Sequence, residues 1–174
     1  MKKITLIILL AISTMATFAQ KGKYKRAVKV LTTGEVFQCD FEKKEEYGIP
    51  NMLRVTASKH TDVAIRLINK ETDKCIRYAF LNRGDKYEIT NIPFGKYYVK
   101  VALGEDWFFE DSTGTNKCAG GFKVTPIYKK LNDTFNFKQR KDGSTDSYEL
   151  QLDIKTDGHK PIKDEYITLK EFQK

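Results

Sequence analysis

The sequence predicts an all-β protein built as a single antiparallel β-sandwich. The clearest sign is the segment 96–103, in which aromatic and β-branched residues alternate with a period of two. Similar segments recur roughly every 8–12 residues between positions 62 and 109, and no helical apolar period lies between them. The connections are too short for the crossover helices of a parallel sheet, which favours antiparallel pairing.

The predicted strands follow one another along the chain, each bounded by turn residues. An opening hairpin is expected first, with strands at 24–31 and 36–41 around a turn that contains Gly34. A long surface loop is expected at 110–121, where Gly, Ser, Thr, Asn and Asp are frequent. The remaining predicted strands are 52–57, 62–69, 74–81, 86–90, 96–103, 121–125, 134–139, 147–154 and 165–169.

The strand 96–103 has two chemically different faces. Tyr97 begins a row of core-facing residues, whereas Tyr98 and Lys100 lie on the opposite face, which we expect to be the outer one. Gly104 is expected to end the strand and to open a loop that carries Trp107, the only tryptophan.

The first 19 residues have the pattern of a cleaved secretory signal peptide. Lys2 and Lys3 precede an uncharged apolar run at 4–12, and small residues lie before a cut after Ala19. The apolar run is much shorter than the ~20 residues that span a bilayer, and no other run reaches that length. We therefore expect residues 20–174 to form one domain without a transmembrane segment, in a secreted or periplasmic protein.

The mature chain is moderately basic. The whole chain has 31 Lys and Arg residues against 23 Asp and Glu, and removal of Lys2 and Lys3 with the leader leaves a net charge of +6. The excess is spread along the chain, and no nucleic-acid-binding module is recognisable, so nucleic acid is not an expected partner.

Three cysteines remain after the leader is removed. Cys39 alternates with phenylalanines at 37 and 41, which indicates a small buried hydrophobic residue. Export permits disulfides, and Cys75 and Cys118 are then the candidate pair. No Cys/His spacing indicates a zinc site.

Residues 62–109 resemble the transthyretin-like (prealbumin-like) β-sandwich modules, which include the carboxypeptidase regulatory-like domains. Those modules have a Pro/Gly turn that leads into a strand, and this chain matches the pattern at Ile92, Pro93, Gly95, Tyr97, Val99 and Val101. The Gly104-x-x-Trp107 sequence that follows is also similar to uncharacterised exported proteins of Gram-negative bacteria. The resemblance implies a sandwich fold and a non-catalytic role, and it carries no catalytic or ligand residues.

An acidic cluster surrounds Trp107. Glu105, Asp106, Glu110 and Asp111 could form a calcium site or the paired carboxylates of a glycosidase. The cluster lacks the spacing of a known calcium loop, and we favour a solvated loop that its aromatic residues attach to the sandwich.

Two further patterns have a functional and a structural interpretation. Arg83, Gly84 and Asp85 spell the tripeptide that animal integrins bind, but a hairpin turn also requires Gly and Asp, and we favour the turn. Tyr98 and Lys100 give the outer face of strand 96–103 a basic and aromatic character, which is a candidate surface for a partner or a glycan.

We therefore expect an exported, non-catalytic module with a binding or structural role at the cell envelope. Its partner would be an envelope protein or a glycan, and no catalytic, cofactor-binding or metal-binding residues are predicted. One alternative is a carbohydrate-active or metal-dependent enzyme centred on residues 105–111. Another is a glycan-binding or adhesion protein, which would need Tyr98 and Trp107 exposed on one surface. The two histidines lie in separate turns, which disfavours nucleophilic catalysis.

Overall fold

The structure, a computed structural model, describes residues 30–37, 50–110, 119–152 and 164–174. The predicted signal peptide, most of the predicted opening hairpin and most of the predicted loop 110–121 lie outside these ranges. Cys39, Asp111 and Cys118 lie outside them as well.

The described residues form nine strands and one short helix, which confirms the prediction of an all-β protein. A sheet of three strands has the order β4-β1-β8, and a sheet of six has the order β3-β2-β5-β6-β9, with β7 paired to β5. The elements are β1 Met52–Ala57, β2 Asp62–Asn69, β3 Cys75–Leu81, β4 Lys86–Ile89, β5 Gly95–Phe109, β6 Gly120–Leu131, β7 Phe135–Phe137, β8 Ser147–Leu152, β9 Asp164–Tyr166 and α1 Leu169–Gln173.

One pair of strands departs from the predicted antiparallel arrangement. β1 and β8 are parallel, with Leu53 opposite Tyr148 and Val55 opposite Leu150. Parallel neighbours need a long connection. Here the chain between them forms most of the larger sheet, so the short turns on which the prediction relied do not join these two strands.

The two sheets share one hydrophobic core. Leu53 and Val55 of the smaller sheet pack in the same buried cluster as Ile65, Val99 and Val101 of the larger sheet. These residues alternate along their strands with residues of the opposite face, as the sequence predicts.

The second face of the larger sheet is also buried, contrary to the prediction of an outer face on strand 96–103. Leu31, Phe37 and Phe172 cover this face and pack with Trp107 and Phe122 in a second cluster. The covering residues come from the segment 31–37 and from α1, both remote in sequence from the sheet. The side chains of β2 are consequently buried without interruption from residue 63 to residue 68.

β5 does not end at Gly104 but continues to Phe109, so Trp107 lies in a strand and not in a loop. The register with β6 shifts between Leu103 and Glu105, which marks a β-bulge at Gly104. A Cβ atom on Gly104 would lie 2.5 Å from Cβ of Phe122, so the close approach of the two strands requires glycine. The glycine that appeared to end the strand therefore bends it.

The turn at 91–95 has the features that its sequence predicts. Asn91 and Gly95 have positive φ angles of 51° and 150°, and the hydroxyl of Tyr97 donates a hydrogen bond to the carbonyl oxygen of Pro93 at 3.1 Å. A Cβ atom on Gly95 would lie 3.2 Å from that same hydroxyl oxygen. Glycine thus supplies both the backbone angle and the space for the tyrosine.

The predicted strand 165–169 is wrong in its second half. β9 ends at Tyr166, and α1 begins at Leu169 after the N-cap residue Thr168. Thr168 and Glu171 form a capping box, in which each side chain binds the other residue's backbone N–H. Across the described ranges, no helix has the length and apolar character needed to cross a membrane.

Candidate functional site

β5 carries five of the residues that the sequence singles out, but the structure divides them into two groups. Glu105, Asp106 and Trp107 follow the bulge, whereas Tyr98 and Lys100 lie before it. The two groups have different surroundings.

Trp107 is a core residue with only 2% of its surface exposed. Its ring stacks on Phe37 with centroids 5.5 Å apart and meets Phe122 edge to face at 4.9 Å. Its indole nitrogen has no hydrogen-bond partner among the described residues. The glycan-binding hypothesis, which needs Tyr98 and Trp107 exposed on one surface, is therefore wrong in this respect.

The described acidic side chains near Trp107 do not converge on one site. Glu105 lies 3.5 Å from the guanidinium group of Arg83, and Asp106 and Glu110 are exposed. Within the described ranges, no three His, Cys, Asp or Glu side chains are close enough together to hold a metal ion. Asp111, the fourth member of the predicted cluster, lies outside those ranges.

The Arg83-Gly84-Asp85 sequence forms a turn between β3 and β4. Arg83 pairs with Asp62 at 3.3 Å as well as with Glu105, and Asp85 accepts a hydrogen bond from the hydroxyl of Thr33. Gly84 has a φ of 78°, which favours glycine. Both charged side chains of the tripeptide therefore make contacts within the molecule, in agreement with the turn interpretation.

Three cations lie side by side across the larger sheet, and we call them the cationic row. Arg66 on β2 is paired in register with Lys100 on β5, which is paired in turn with Lys130 on β6. Arg66 and Lys100 are buried, with 5% and 9% of their surface exposed. Of these three cations, only Lys100 is a predicted site residue, although Arg66 has the same period-two signal because it alternates with the core-facing residues of β2.

Tyr98 and Asp73 lie at the edge of this row. The hydroxyl of Tyr98 donates a hydrogen bond to the carboxylate of Asp73, and the ammonium group of Lys130 lies 5.1 Å from the centre of the Tyr98 ring. Burial, together with the hydrogen bond to Asp73, raises the pKa of Tyr98. Tyr98 is thus half-buried and already has two partners.

Residues 164–174, here called the capping segment, contact the cationic row through α1. Lys100 donates a hydrogen bond to the carbonyl oxygen of Glu171 at 2.9 Å, and Arg66 donates one to the carbonyl oxygen of Phe172. These carbonyl groups belong to the last turn of α1, where no intrahelical donor is available and a cation is favoured. The two buried cations therefore act as a C-terminal cap for the helix.

The ring of Phe172 fills an aromatic slot beside the row. It is fully buried, and its centroid lies 6.0 Å from that of Tyr78 and 5.6 Å from that of Tyr128. The guanidinium carbon of Arg66 lies 5.8 Å from the Phe172 centroid and 5.3 Å from the Tyr78 centroid, distances that permit cation–π attraction.

The electrostatics of the row reflect burial of positive charge. Burial and the neighbouring Arg66 charge lower the pKa of Lys100. Burial also raises the pKa of the Tyr78 hydroxyl, which has no hydrogen-bond partner among the described residues. Nε of Arg66 also lacks a partner there. The site consequently offers more donor groups than the capping segment uses.

Cys75 lies close to this row and is buried. Its thiol forms no disulfide with another described residue and lies 3.2 Å from the carbonyl oxygen of Arg77, and burial raises its pKa. Cys118, its expected disulfide partner, lies outside the described ranges, so that pairing stays a prediction.

Comparisons with known proteins identify no relative of this chain. A scan against protein-family models, a search of curated proteins and a search of solved structures each found no match.

Proposed function

We propose that this protein is an exported, non-catalytic β-sandwich module of the transthyretin-like type, with a binding or structural role at the cell envelope. The leader pattern at 1–19 supports export, and the turn and strand at 92–101 support the fold type. The resemblance on which the fold type is based implies a non-catalytic role.

One observation carries the functional part of this proposal. Of the predicted site residues that the structure describes, all but the exposed Asp106 contact other parts of the molecule. Trp107 packs in the second core, Lys100 binds the capping segment, and Glu105 pairs with Arg83. Side chains that are used for internal contacts support a structural role, in which the folded module binds partners through its surface.

Export is tested by following the leader in the producing bacterium. We expect mass spectrometry of the envelope fraction to find a chain that begins at Gln20. A Leu9→Arg variant, which places a charge in the apolar run, should stay in the cytoplasm at full length. An unprocessed wild-type chain in the cytoplasm would contradict the proposal.

Contact with an envelope component is tested by photocrosslinking in living cells. A photoreactive amino acid is placed at Gln151 on β8 or at Tyr166 on β9, both exposed. We expect a discrete adduct with an envelope component at one of these positions, and none when the Leu9→Arg change retains the protein in the cytoplasm. Absence of an adduct at both positions would count against the binding role.

A further inference from the structure

The face of the larger sheet under α1 has the composition of a ligand groove. The buried cations Arg66 and Lys100 lie on this face, and the aromatic rings of Tyr78 and Tyr128 on neighbouring strands contact Phe172. We propose that this groove recognises a peptide segment that ends in an aromatic residue with a free carboxylate, and that α1 is its intramolecular occupant. This inference rests on the proposed binding role and names the class of partner.

The charges of the groove fit a carboxylate better than the groups that now occupy it. Arg66 and Lys100 face the carbonyl oxygens of Phe172 and Glu171, which are neutral acceptors. A carboxylate would form charge-assisted hydrogen bonds, which are roughly twice as strong as those between neutral groups. The Asp73 carboxylate offsets part of the Lys100 charge, but the hydrogen-bond acceptors of both cations in the capping segment are neutral, so an anionic ligand would relieve part of the cost of burying them.

An unused donor of Arg66 indicates where a ligand carboxylate would bind. Arg66 uses Nη1 for the Phe172 carbonyl oxygen, but its Nε has no hydrogen-bond partner among the described residues. Nε–H shares an edge of the planar guanidinium group with Nη2, so a carboxylate bound side-on through two parallel N–H···O bonds would use Nε and Nη2, and Nη1 would stay with a backbone carbonyl oxygen. The hydroxyl of Tyr78, equally buried and unpartnered there, is a further donor on the same face.

The slot beside the cations selects an aromatic side chain. Phe172 is held between Tyr78 and Tyr128, with the Arg66 guanidinium group over its ring. Edge-on aromatic contacts and cation–π attraction both favour a flat ring over an aliphatic side chain of similar area. An external segment would therefore insert its own terminal ring where Phe172 now lies.

The capping segment is built so that it can be replaced. α1 has only five residues, and β9 pairs with β6 at three positions. The capping box of Thr168 and Glu171 lies within the segment, so the helix does not depend on the sheet for its N-cap. Short elements of this kind open at a lower free energy than core strands. The covalent link gives the segment an effective concentration of roughly millimolar, which an external ligand must overcome by its added charge.

The test uses the purified chain from residue 20 to residue 174 and a labelled peptide. A fluorescein-labelled hexapeptide of glycine and serine ends in phenylalanine with a free carboxylate. Two matched peptides end in phenylalanine amide or in alanine with a free carboxylate. Fluorescence anisotropy should show that the first peptide binds at least tenfold more tightly than either matched peptide.

Variants assign that binding to the groove. Phe172→Ala empties the aromatic slot and should raise affinity for the first peptide at least tenfold, and Arg66→Gln in that background should abolish the gain. Arg54→Gln changes a cation on the outer face of the smaller sheet and should have no effect. Because Phe172→Ala also removes core packing, Gln173→Ala, which breaks the 3.1 Å hydrogen bond to the Gly120 carbonyl oxygen, serves as a second variant.

The outcomes are distinct from those of the export and crosslinking tests. Equal binding of the acid and amide peptides, or no gain in either capping-segment variant with native circular dichroism, would overturn the inference. An adduct at Gln151 together with such a result would leave the proposed function standing. An uncleaved cytoplasmic protein would remove the proposed function without affecting peptide binding in vitro.

Discussion

Replacement of Trp107 by alanine tests whether this residue is part of the core or part of a ligand site. The ring is 2% exposed and contacts aromatic side chains on several elements, including Phe37 at 5.5 Å and Phe122 at 4.9 Å. Truncation of a buried Trp to Ala costs about 3–5 kcal/mol of unfolding free energy, because transfer energy is lost and a cavity remains. We expect Trp107→Ala to fall in this range.

Trp107→Phe is the matched control. It keeps an aromatic ring in the same space and removes an indole N–H that has no partner among the described residues. Loss of ring volume should cost roughly 1–2 kcal/mol, and removal of an unpartnered buried donor should offset part of that cost. The phenylalanine variant should therefore be clearly more stable than the alanine variant.

The assay is urea unfolding followed by far-ultraviolet circular dichroism, which does not depend on tryptophan fluorescence. Equal m-values among the three proteins would show that the midpoints report stability. A Trp107→Ala variant within about 0.5 kcal/mol of wild type, the range of ordinary surface substitutions, would refute the assignment of Trp107 to the core.

Three further predictions concern backbone space, acid stability and a surface ion network. Gly104→Ala places a Cβ atom 2.5 Å from Phe122 and should cost about 1–3 kcal/mol. A Cβ atom on Gly84 would meet no atom within 4 Å, but its φ of 78° is strained for alanine, so Gly84→Ala should lower the free energy of unfolding by about 1–2 kcal/mol. Thermal unfolding compares the two variants, and a Gly104→Ala variant as stable as wild type would contradict the close strand approach at the bulge. Hydrogen bonds from the backbone N–H of Lys138 and from the guanidinium group of Arg140 lower the pKa of Asp146. The ionised carboxylate therefore stabilises the fold fully above the ordinary pKa of 3.8, and this stabilisation is lost as the pH falls through the lowered pKa. Between about pH 5 and 2, the range in which ordinary carboxyl groups titrate, the free energy of unfolding should therefore fall less for Asp146→Asn than for wild type. Urea titrations at these pH values in which both proteins lose the same free energy would contradict this prediction. Arg54 pairs with two exposed glutamates, so Arg54→Ala should change the unfolding free energy by no more than about 1 kcal/mol in the same urea assay, and a larger loss would show that the network is more than a surface feature.

The strands were predictable where apolar and polar residues alternate with a period of two. Segments 52–57 and 62–69 alternate clearly and have the predicted bounds. Local signals failed at Gly104, which reads as a strand end but is a bulge that pairing with β6 stabilises. They also failed after Tyr166, where a capping box starts a helix in place of a continued strand.

The candidate site was predictable only in part. Lys100 and Tyr98 could be named from the alternation on β5, because that signal lies within one strand. Arg66 and Phe172 could not be assigned to the same site, since they are 106 positions apart and meet only when α1 docks on the sheet.

Local sequence patterns are enough to predict that this chain is rich in β-structure, where most of its strands lie, and which side chains share a face of each strand. These properties follow from backbone sterics and from the period of two, which act over a few residues. Tertiary structure alone decides that the larger sheet is buried on both faces, that Trp107 belongs to a second core, and that Lys100 lies beside Arg66 under the capping segment. Those features depend on which distant segments cover which face. The hydrophobic effect that drives such docking is non-directional, so the local sequence does not specify which segment covers a given face.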